Sequence, residues 1–367
     1  MARKDIVVIG ASAGGMGALE KLAAGLPADL PAALFVVWHL APGVKSVLPS
    51  VLTRAGPVPA MHPKDGDPIV PGRIYVAPND HHLLVEKGYM RVTKGPKENR
   101  FRPAVDPLFR SAAYIYGSRV IGVVLSGALD DGTAGLWAIK LRGGTAVVQD
   151  PADAIHRSMP ISALDNVEVD YRLPVADIGP LLGRLAREEA APEPIMPAQA
   201  REKMEAEVKI AREVDARVED IMQYGELSPF TCPECHGVLT TYREGNIVRF
   251  RCHTGHAVSS GTLLEAGTEQ VEQRLMDALR ALDETIMLLN QLGEQYAKNG
   301  NTAAAEQSFN RARDAYERSR RHTFERAARG YDEKARAAER QADTVRQLLL
   351  SARDEPKPEE AEEMVEP

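Results

Sequence analysis

The sequence predicts an α/β protein. A doubly wound, mostly parallel sheet occupies about the first half of the 367-residue chain, followed by a compact Cys/His segment and an α-helical region. Three observations predict this. From residue 5 to about 180, short β-rich runs alternate with helically spaced segments, the pattern of a parallel sheet covered on both faces. All three cysteines fall between 232 and 252. After residue 260, apolar residues recur every three or four positions, which is helical spacing.

The expected core strands are Asp5–Gly10, Ala33–Trp38, Arg73–Val76, Arg119–Leu125, Gly144–Val148 and Val167–Tyr171. The expected helices between and after them are Met16–Gly25, Lys45–Arg54, Asp106–Ile115, Thr133–Leu141, Ser158–Leu164 and Val175–Ala191. Leu83–Glu86 and Tyr89–Thr93, joined at Lys87-Gly88, read as an antiparallel hairpin inserted into the sheet. Pro192, Pro194 and Pro197 mark a stiff Ala/Pro/Glu linker. Beyond it, Met204, Val208, Ala211, Val214, Val218 and Ile221 form one helical stripe. Val271, Leu275, Ala278, Leu282, Ile286, Leu289, Leu292 and Tyr296 form a coiled-coil or bundle seam. Asp354 to Pro367 holds seven acidic residues against one lysine, the composition of a disordered tail. The resulting division is an α/β domain over 1–185, the linker over 186–200, a helix over 201–227, the Cys/His segment over 228–260, helices over 261–353 and the tail over 354–367.

Composition excludes several classes. An apolar fraction of 44% with 26% charged residues is that of a globular protein. No apolar run approaches the ~20 residues of a membrane span, so no membrane insertion is expected. The first strand begins almost at once, so a signal peptide is not expected either, and the chain is placed in the cytoplasm. Residues 1–180 carry 19 basic and 17 acidic residues, the remainder 26 and 35, for a net charge of −7. No basic footprint for nucleic acid results.

The first strand runs into Gly10-Ala11-Ser12-Ala13-Gly14-Gly15. A lone hydroxyl between small residues at a strand–helix turn suits an exposed nucleophile, an ordinary βα turn or a phosphate cradle. Other strand ends discriminate among these. Val36-Val37-Trp38-His39 ends one strand with an imidazole, and Leu125-Ser126-Gly127 leads to Asp130-Asp131-Gly132 after another. In an open parallel sheet these ends meet at one edge. Serine, histidine and acid there are the parts of a triad, in which imidazole takes the serine proton and carboxylate fixes the imidazole tautomer. The aspartates are equally suited to capping the next helix.

The glycine-rich turn, the His39 segment, Pro103-Ala104-Val105-Asp106-Pro107-Leu108-Phe109 and Leu125 through Gly132 resemble the catalytic domain of CheB, the chemotaxis protein-glutamate methylesterase family. Gln149-Asp150-Pro151 and Ser158-Met159-Pro160 also fit its pattern, and the resemblance covers about residues 4–180. It implies a Rossmann-like methylesterase domain that hydrolyses glutamate γ-methyl esters on receptor helices, with deamidation of glutamine at the same sites often accompanying this in the family. Carried over, Ser12 is nucleophile, His39 base and Asp131, directly before the glycine, the orienting acid. The backbone amides of Ala13 and Ala128 would form the oxyanion hole, at positions where the family usually has a bulkier or polar residue. Family members usually begin with a phosphoacceptor receiver domain. With the esterase pattern starting at residue 4, regulation by phosphorylation in cis is not expected.

Cys232-Pro233-Glu234-Cys235 is followed after sixteen residues by Cys252-His253-Thr254-Gly255-His256. This is tetrahedral zinc-ribbon spacing. Cys232, Cys235, Cys252 and His256 are the assigned ligands, with His253 competing for the fourth place. Gly255, which permits the turn, favours His256. Four protein ligands make a structural zinc and no cofactor for catalysis. The expected function is a serine hydrolase acting on a methyl-accepting chemotaxis receptor or a related methylated protein, with a further protein partner for the helical region. Two alternatives stand beside it: a non-catalytic scaffold binding through ribbon and helices, and an esterase for a substrate outside chemotaxis.

Overall fold

A computed structural model describes residues 2–40, 43, 46–212 and 223–318. Contacts group the chain into two units, Met1–Thr268 and Glu269–Pro367. The first is built on a seven-stranded sheet of β1 (Ile6–Ala11), β2 (Ala33–Trp38), β3 (Ala60–Met61), β4 (Arg73–Val76), β7 (Val120–Val124), β8 (Thr145–Gln149) and β9 (Tyr171–Leu173). The order is β3-β4-β2-β1-β7-β8-β9, and every pairing is parallel. The chain winds outward from β1 through β2 toward β4 and then returns to β7 on the other side. The crevice between β1 and β7 is therefore the switch point at which such sheets place their sites.

β1, β7 and β8 are buried at every position. Alternate residues feed two cores, so these strands read as unbroken apolar runs. Val7, Ile9, Leu34 and Ile121 pack with Leu19 and Leu22 of α1 (Gly15–Ala24), Leu52 of α2 (Leu48–Ala55) and Leu182 of α6 (Val175–Leu185). Val8, Phe35 and Val124 pack on the other face with Phe109 of α3 (Val105–Tyr116), Ile139 of α4 (Thr133–Leu141) and Ala163 of α5 (Ser158–Asn166).

Several boundaries differ from the sequence pattern. The last strand is Tyr171–Leu173, because Val167 closes α5 by donating to Ala163 and sits in the core. Helix α6 stops at Leu185, because Glu188 and Glu189 turn aside to pair with Lys4 and Arg3. The hairpin β5 (His82–Val85) and β6 (Met90–Thr93) forms its own two-stranded sheet instead of entering the main one. The Ala/Pro/Glu segment lies against the sheet domain, with Ala191 accepting from Ser118 and Glu193 pairing with Arg142.

Helix α7 (Ala198–Ala211) buries Met204 and Val208, while Val214, Val218 and Ile221 of the same stripe lie outside the described residues. An antiparallel sheet follows: β10 (Glu226–Thr231), β11 (Val238–Glu244), β12 (Ile247–Cys252) and β13 (Ala257–Ser259). Its small core holds Cys232, Leu239, Phe250, Cys252 and Val258. Helix α8 spans Ser260–Lys298 and α9 spans Thr302–Arg318. In the second unit Gly293 lies against Phe309, while Val271, Leu275 and Tyr296 of the seam are exposed. The expected helices beyond residue 318 and the tail from Asp354 lie outside the described residues. Among the described residues no helix is long and apolar enough to cross a membrane.

Candidate active site

Ser12 directly follows β1, and its backbone is held from three sides. Its N–H donates to Ser126 (3.0 Å), and its carbonyl accepts from Gly15 N–H (2.9 Å) and Trp38 Nε1 (3.0 Å). The turn needs glycine at 14, where φ is +71° and a Cβ would lie 2.8 Å from both Ile155 and Ser126 Oγ. The serine is thereby pinned while its hydroxyl faces the crevice.

His39 leaves β2 at the same edge, with its N–H on Ala11 (3.2 Å). Its ring lies flat on Phe101, centroids 3.8 Å apart and planes 9° from parallel. Nδ1 is 3.0 Å from Ser12 Oγ, and Nε2 is 2.8 Å from Asp131 Oδ2. A neutral imidazole protonated at Nε2 donates to the carboxylate and turns the Nδ1 lone pair toward the hydroxyl. Both His39 and Asp131 side chains are almost wholly enclosed, at 4% and 2% exposure, so water does not compete for this arrangement.

Asp131 is the most heavily bonded group of the three. Oδ2 also accepts from Val105 N–H (2.7 Å), and Oδ1 accepts from Asp106 N–H (3.2 Å) and Asn99 Nδ2 (2.8 Å). Val105 and Asp106 open α3, so the carboxylate sits on free amides at a helix N-terminus. Burial opposes its charge, but the hydrogen bonds from His39, Val105 and Asn99 prevail and hold its pKa below the usual carboxylate range. Asp130 faces the other way and accepts from Ser259 Oγ (2.7 Å) and Thr262 Oγ1 (3.2 Å). Two adjacent aspartates thus have separate tasks.

Gly127 lies so close to the serine that a Cβ on it would meet Ser12 Cβ at 2.9 Å. The chain after β7 is thereby brought against Ser12, with Ala128 next in sequence. Among the described residues neither Ala13 nor Ala128 donates its backbone N–H to a backbone acceptor. Sequence patterns missed Trp38, Asn99, Phe101 and the α3 amides. They act through single side-chain N–H donors, backbone amides or one stacked face, which leave no spacing signature, although Val105 and Asp106 lie within the 103–109 stretch.

Cys232, Cys235, Cys252 and His256 form a second cluster, their ligand atoms all within 4.8 Å of one another. Sulfur to sulfur is 3.6 Å for Cys235 and Cys252, and His256 Nδ1 is 3.8 and 3.7 Å from Cys232 and Cys252. A tetrahedral zinc with bonds of about 2.3 Å to sulfur and about 2.0 Å to nitrogen has edges of roughly 3.5–3.8 Å. The donor set fits that ion. His253 stands apart, its ring against Gly237.

Among other histidines, buried His82 bridges Pro96 carbonyl and Ala104 N–H, and burial lowers its basicity. His62 binds the Val76 carbonyl. Both are ties between chain segments. Arg102 clamps Asp80 and two loop carbonyls.

A doubly wound α/β domain with serine, histidine and a buried aspartate in line at its switch point has the architecture of a serine hydrolase. Residues 7–182 match the CheB methylesterase family profile, and this part of the chain belongs to that family. A protein-glutamate methylesterase/protein-glutamine glutaminase 2 of Anaeromyxobacter dehalogenans is 41% identical over 186 residues, 51% of this chain and 54% of that protein. The protein-glutamate methylesterase/protein-glutamine glutaminase of Thermotoga maritima is 37% identical over 177 residues, 47% of this chain and 52% of that one. The solved Thermotoga maritima CheB methylesterase catalytic domain is 35% identical. That match covers 50% of this chain and 100% of the domain, with a TM-score of 0.49. The chain thus spans about half the length of the curated relatives it matches.

Proposed function

We propose that the chain is a protein-glutamate methylesterase, with Ser12 as nucleophile, His39 as base and Asp131 as orienting acid. The observation that carries this is the enclosed series Ser12 Oγ, His39, Asp131, linked at 3.0 and 2.8 Å at the switch point of the sheet. As Ser12 Oγ attacks the γ-ester carbonyl, His39 Nδ1 takes the hydroxyl proton and Asp131 stabilises the imidazolium. The backbone amides of Ala13 and Ala128 receive the developing oxyanion. Each such donor contributes about 2.7–4 kcal/mol in comparable sites. His39 returns the proton to the departing methoxide, which leaves as methanol. Water, activated by the same imidazole, then cleaves the acyl-enzyme to a free glutamate carboxylate. A glutamine side chain enters the same sequence with ammonia leaving.

The substrate we assign is a methylated glutamate on a chemotaxis receptor or related signalling protein. The Cys/His cluster would hold a structural zinc on Cys232, Cys235, Cys252 and His256, leaving no position for substrate. The test is methanol release from methylated receptor by wild type and Ser12→Ala, together with Ser12 labelling by a fluorophosphonate. The variant should fold normally and release no methanol. Undiminished release would overturn the assignment. Labelling of the wild type with no release from any receptor would point instead to a different ester.

A further inference from the structure

We propose that the β10–β13 sheet is a positioning element of the active site, acting through Asn99 on the carboxylate of Asp131; this rests on the hydrolase reading above. Asn99 lies in a loop on the catalytic domain with φ +49°, a left-handed conformation open to asparagine. β13 ties this loop in place. Asn99 N–H donates to Ala257 (2.8 Å), Ala257 N–H donates to Lys97 (3.2 Å), and Ser259 N–H donates to Asn99 Oδ1 (3.1 Å). The last bond decides the chemistry. With its oxygen committed to Ser259, the amide must turn its NH2 toward the carboxylates, where it donates to Asp131 Oδ1 (2.8 Å) and Asp106 Oδ2 (2.9 Å).

Two buried carboxylates sharing one amide repel each other unless a cation balances them. β12 provides it. The wholly buried Arg249 places Nη1 on Asp106 Oδ2 (2.9 Å) and Nη2 on Glu98 Oε2 (2.7 Å). Its neighbour on the same strand face, Arg251, bonds Glu98 (3.2 Å) and Glu207. Asp106 also accepts from Gly132 and Gly135 N–H at the start of α4, the helix that directly follows Asp131. Arg249, Asp106, Asn99, Asp131, His39 and Ser12 are thus joined by consecutive hydrogen bonds. The same loop carries Phe101, which stacks on His39. Holding this loop against β13 therefore sets both the acid and one face of the base. The candidate ligand His256 directly precedes Ala257, so the metal cluster lies one residue from the clamp.

The test uses the full chain with Asn99→Ala, Arg249→Lys and the double variant. Lysine keeps the charge but cannot bridge two carboxylates as the guanidinium fork does. Three quantities are read: the rate of fluorophosphonate labelling at Ser12, the downfield proton resonance of His39 Nε2–H, and amide exchange at Ser259. Asn99→Ala should slow labelling about a hundredfold, the scale of a misplaced catalytic group. It should also move the His39 proton and speed Ser259 exchange. Arg249→Lys should move the same proton, and the double variant should be within about twofold of Asn99→Ala, because both act on one link.

A purely structural role would lower the melting temperature, leave the proton in place and make the two rate losses multiply. That result overturns the inference. Should Arg249→Lys fail to fold, Asn99→Ala decides alone: a shifted proton without faster Ser259 exchange removes the sheet from the positioning. If wild type is not labelled but the proton still moves, the hydrolase reading falls and the positioning stands.

Discussion

Replacing Asp131 by asparagine keeps the shape of the acid and exchanges one acceptor oxygen for an NH2 group. Two donors converge on each carboxylate oxygen: Asn99 and Asp106 N–H on Oδ1, His39 and Val105 N–H on Oδ2. Placing the amide NH2 at Oδ1 sets it against two fixed donors. Placing it at Oδ2 leaves only Val105 N–H unpaired, because the imidazole can change tautomer and accept. The second arrangement therefore wins. It puts the histidine proton on Nδ1, where it donates to Ser12 Oγ and can no longer take the serine proton. The loss expected for a wrong tautomer is about 10⁴-fold in kcat, or about 5.5 kcal/mol at 1.36 kcal/mol per tenfold. The unpaired Val105 N–H adds a stability cost of about 1–3 kcal/mol. Methanol release and fluorophosphonate labelling measure the first effect, and thermal melting measures the second. If Asp131→Asn keeps more than a tenth of wild-type turnover, the carboxylate does not set the tautomer and the reasoning fails.

Other perturbations test the surrounding structure. In Gly127→Ala the new Cβ would lie 1.9 Å from Met159 Sδ and 2.9 Å from Ser12 Cβ. Overpacking should cost about 1–3 kcal/mol, with labelling slowed about a hundredfold by displacement of the serine; a wild-type labelling rate would show that Met159 alone gives way. Metal analysis should find one zinc per chain, and Cys235→Ser or chelation should remove it and lower Tm on the order of 10 °C for a loss of a few kcal/mol. Unchanged melting after complete zinc removal would refute a structural role. The pH dependence of stability has two parts with opposite sign. Burial opposes the charge of Glu98, but Arg110, Arg251 and Arg249 hold its pKa well below the usual carboxylate range. The stability it contributes is present above the unfolded value of about 4.3 and is lost as pH falls toward the folded one. Burial pushes Asp106 up to about 7, so the folded chain holds an extra proton between about 3.9 and about 7, and stability declines as pH rises through that window. In denaturant titrations, Asp106→Asn should remove the decline from pH 4 to 7 and keep the acid-side loss. An unaltered profile would show that Asp106 stays ionised throughout.

The packing of the β10–β13 sheet bears on how such a domain is extended. Arg110, Arg249 and Arg251 meet Glu98, Asp106 and Glu207 in a wholly buried group. Removing one member of a buried pair typically costs about 3–5 kcal/mol, because the other charge is left without compensation. The contact is therefore specific to these partners and does not permit the sheet to slide. A charge balance summed over the chain cannot show this, since the arginines count as surface cations until their partners are known.

Local chemistry was enough to read the alternation of strands and helices. β1, β2, β4 and β7 are apolar because both faces are covered, and α4 coincides with its sequence pattern over Thr133–Leu141. The serine, histidine and aspartate at strand ends were legible for the same reason: parallel winding sends all those ends to one edge. The Cys/His cluster was equally visible, because side chains brought together by one short hairpin keep short, fixed spacings in sequence. Other features depended on residues distant in sequence. Of the Val167–Tyr171 segment only Tyr171 enters the last strand; the rest is a helix end and a connection because the core, and not β propensity, claimed Val167. The assignment of Asp131 to His39 and of Asp130 to Ser259 and Thr262 depends on which way two neighbouring side chains turn, and α3 and β13 decide that. Asn99 carries no motif. Its amide is oriented by a strand 160 residues further along the chain, through a bond to Ser259 that exists only once the two sheets have packed. Periodicity reports which face of an element is buried; only tertiary packing decides which hydrogen-bonding group meets which.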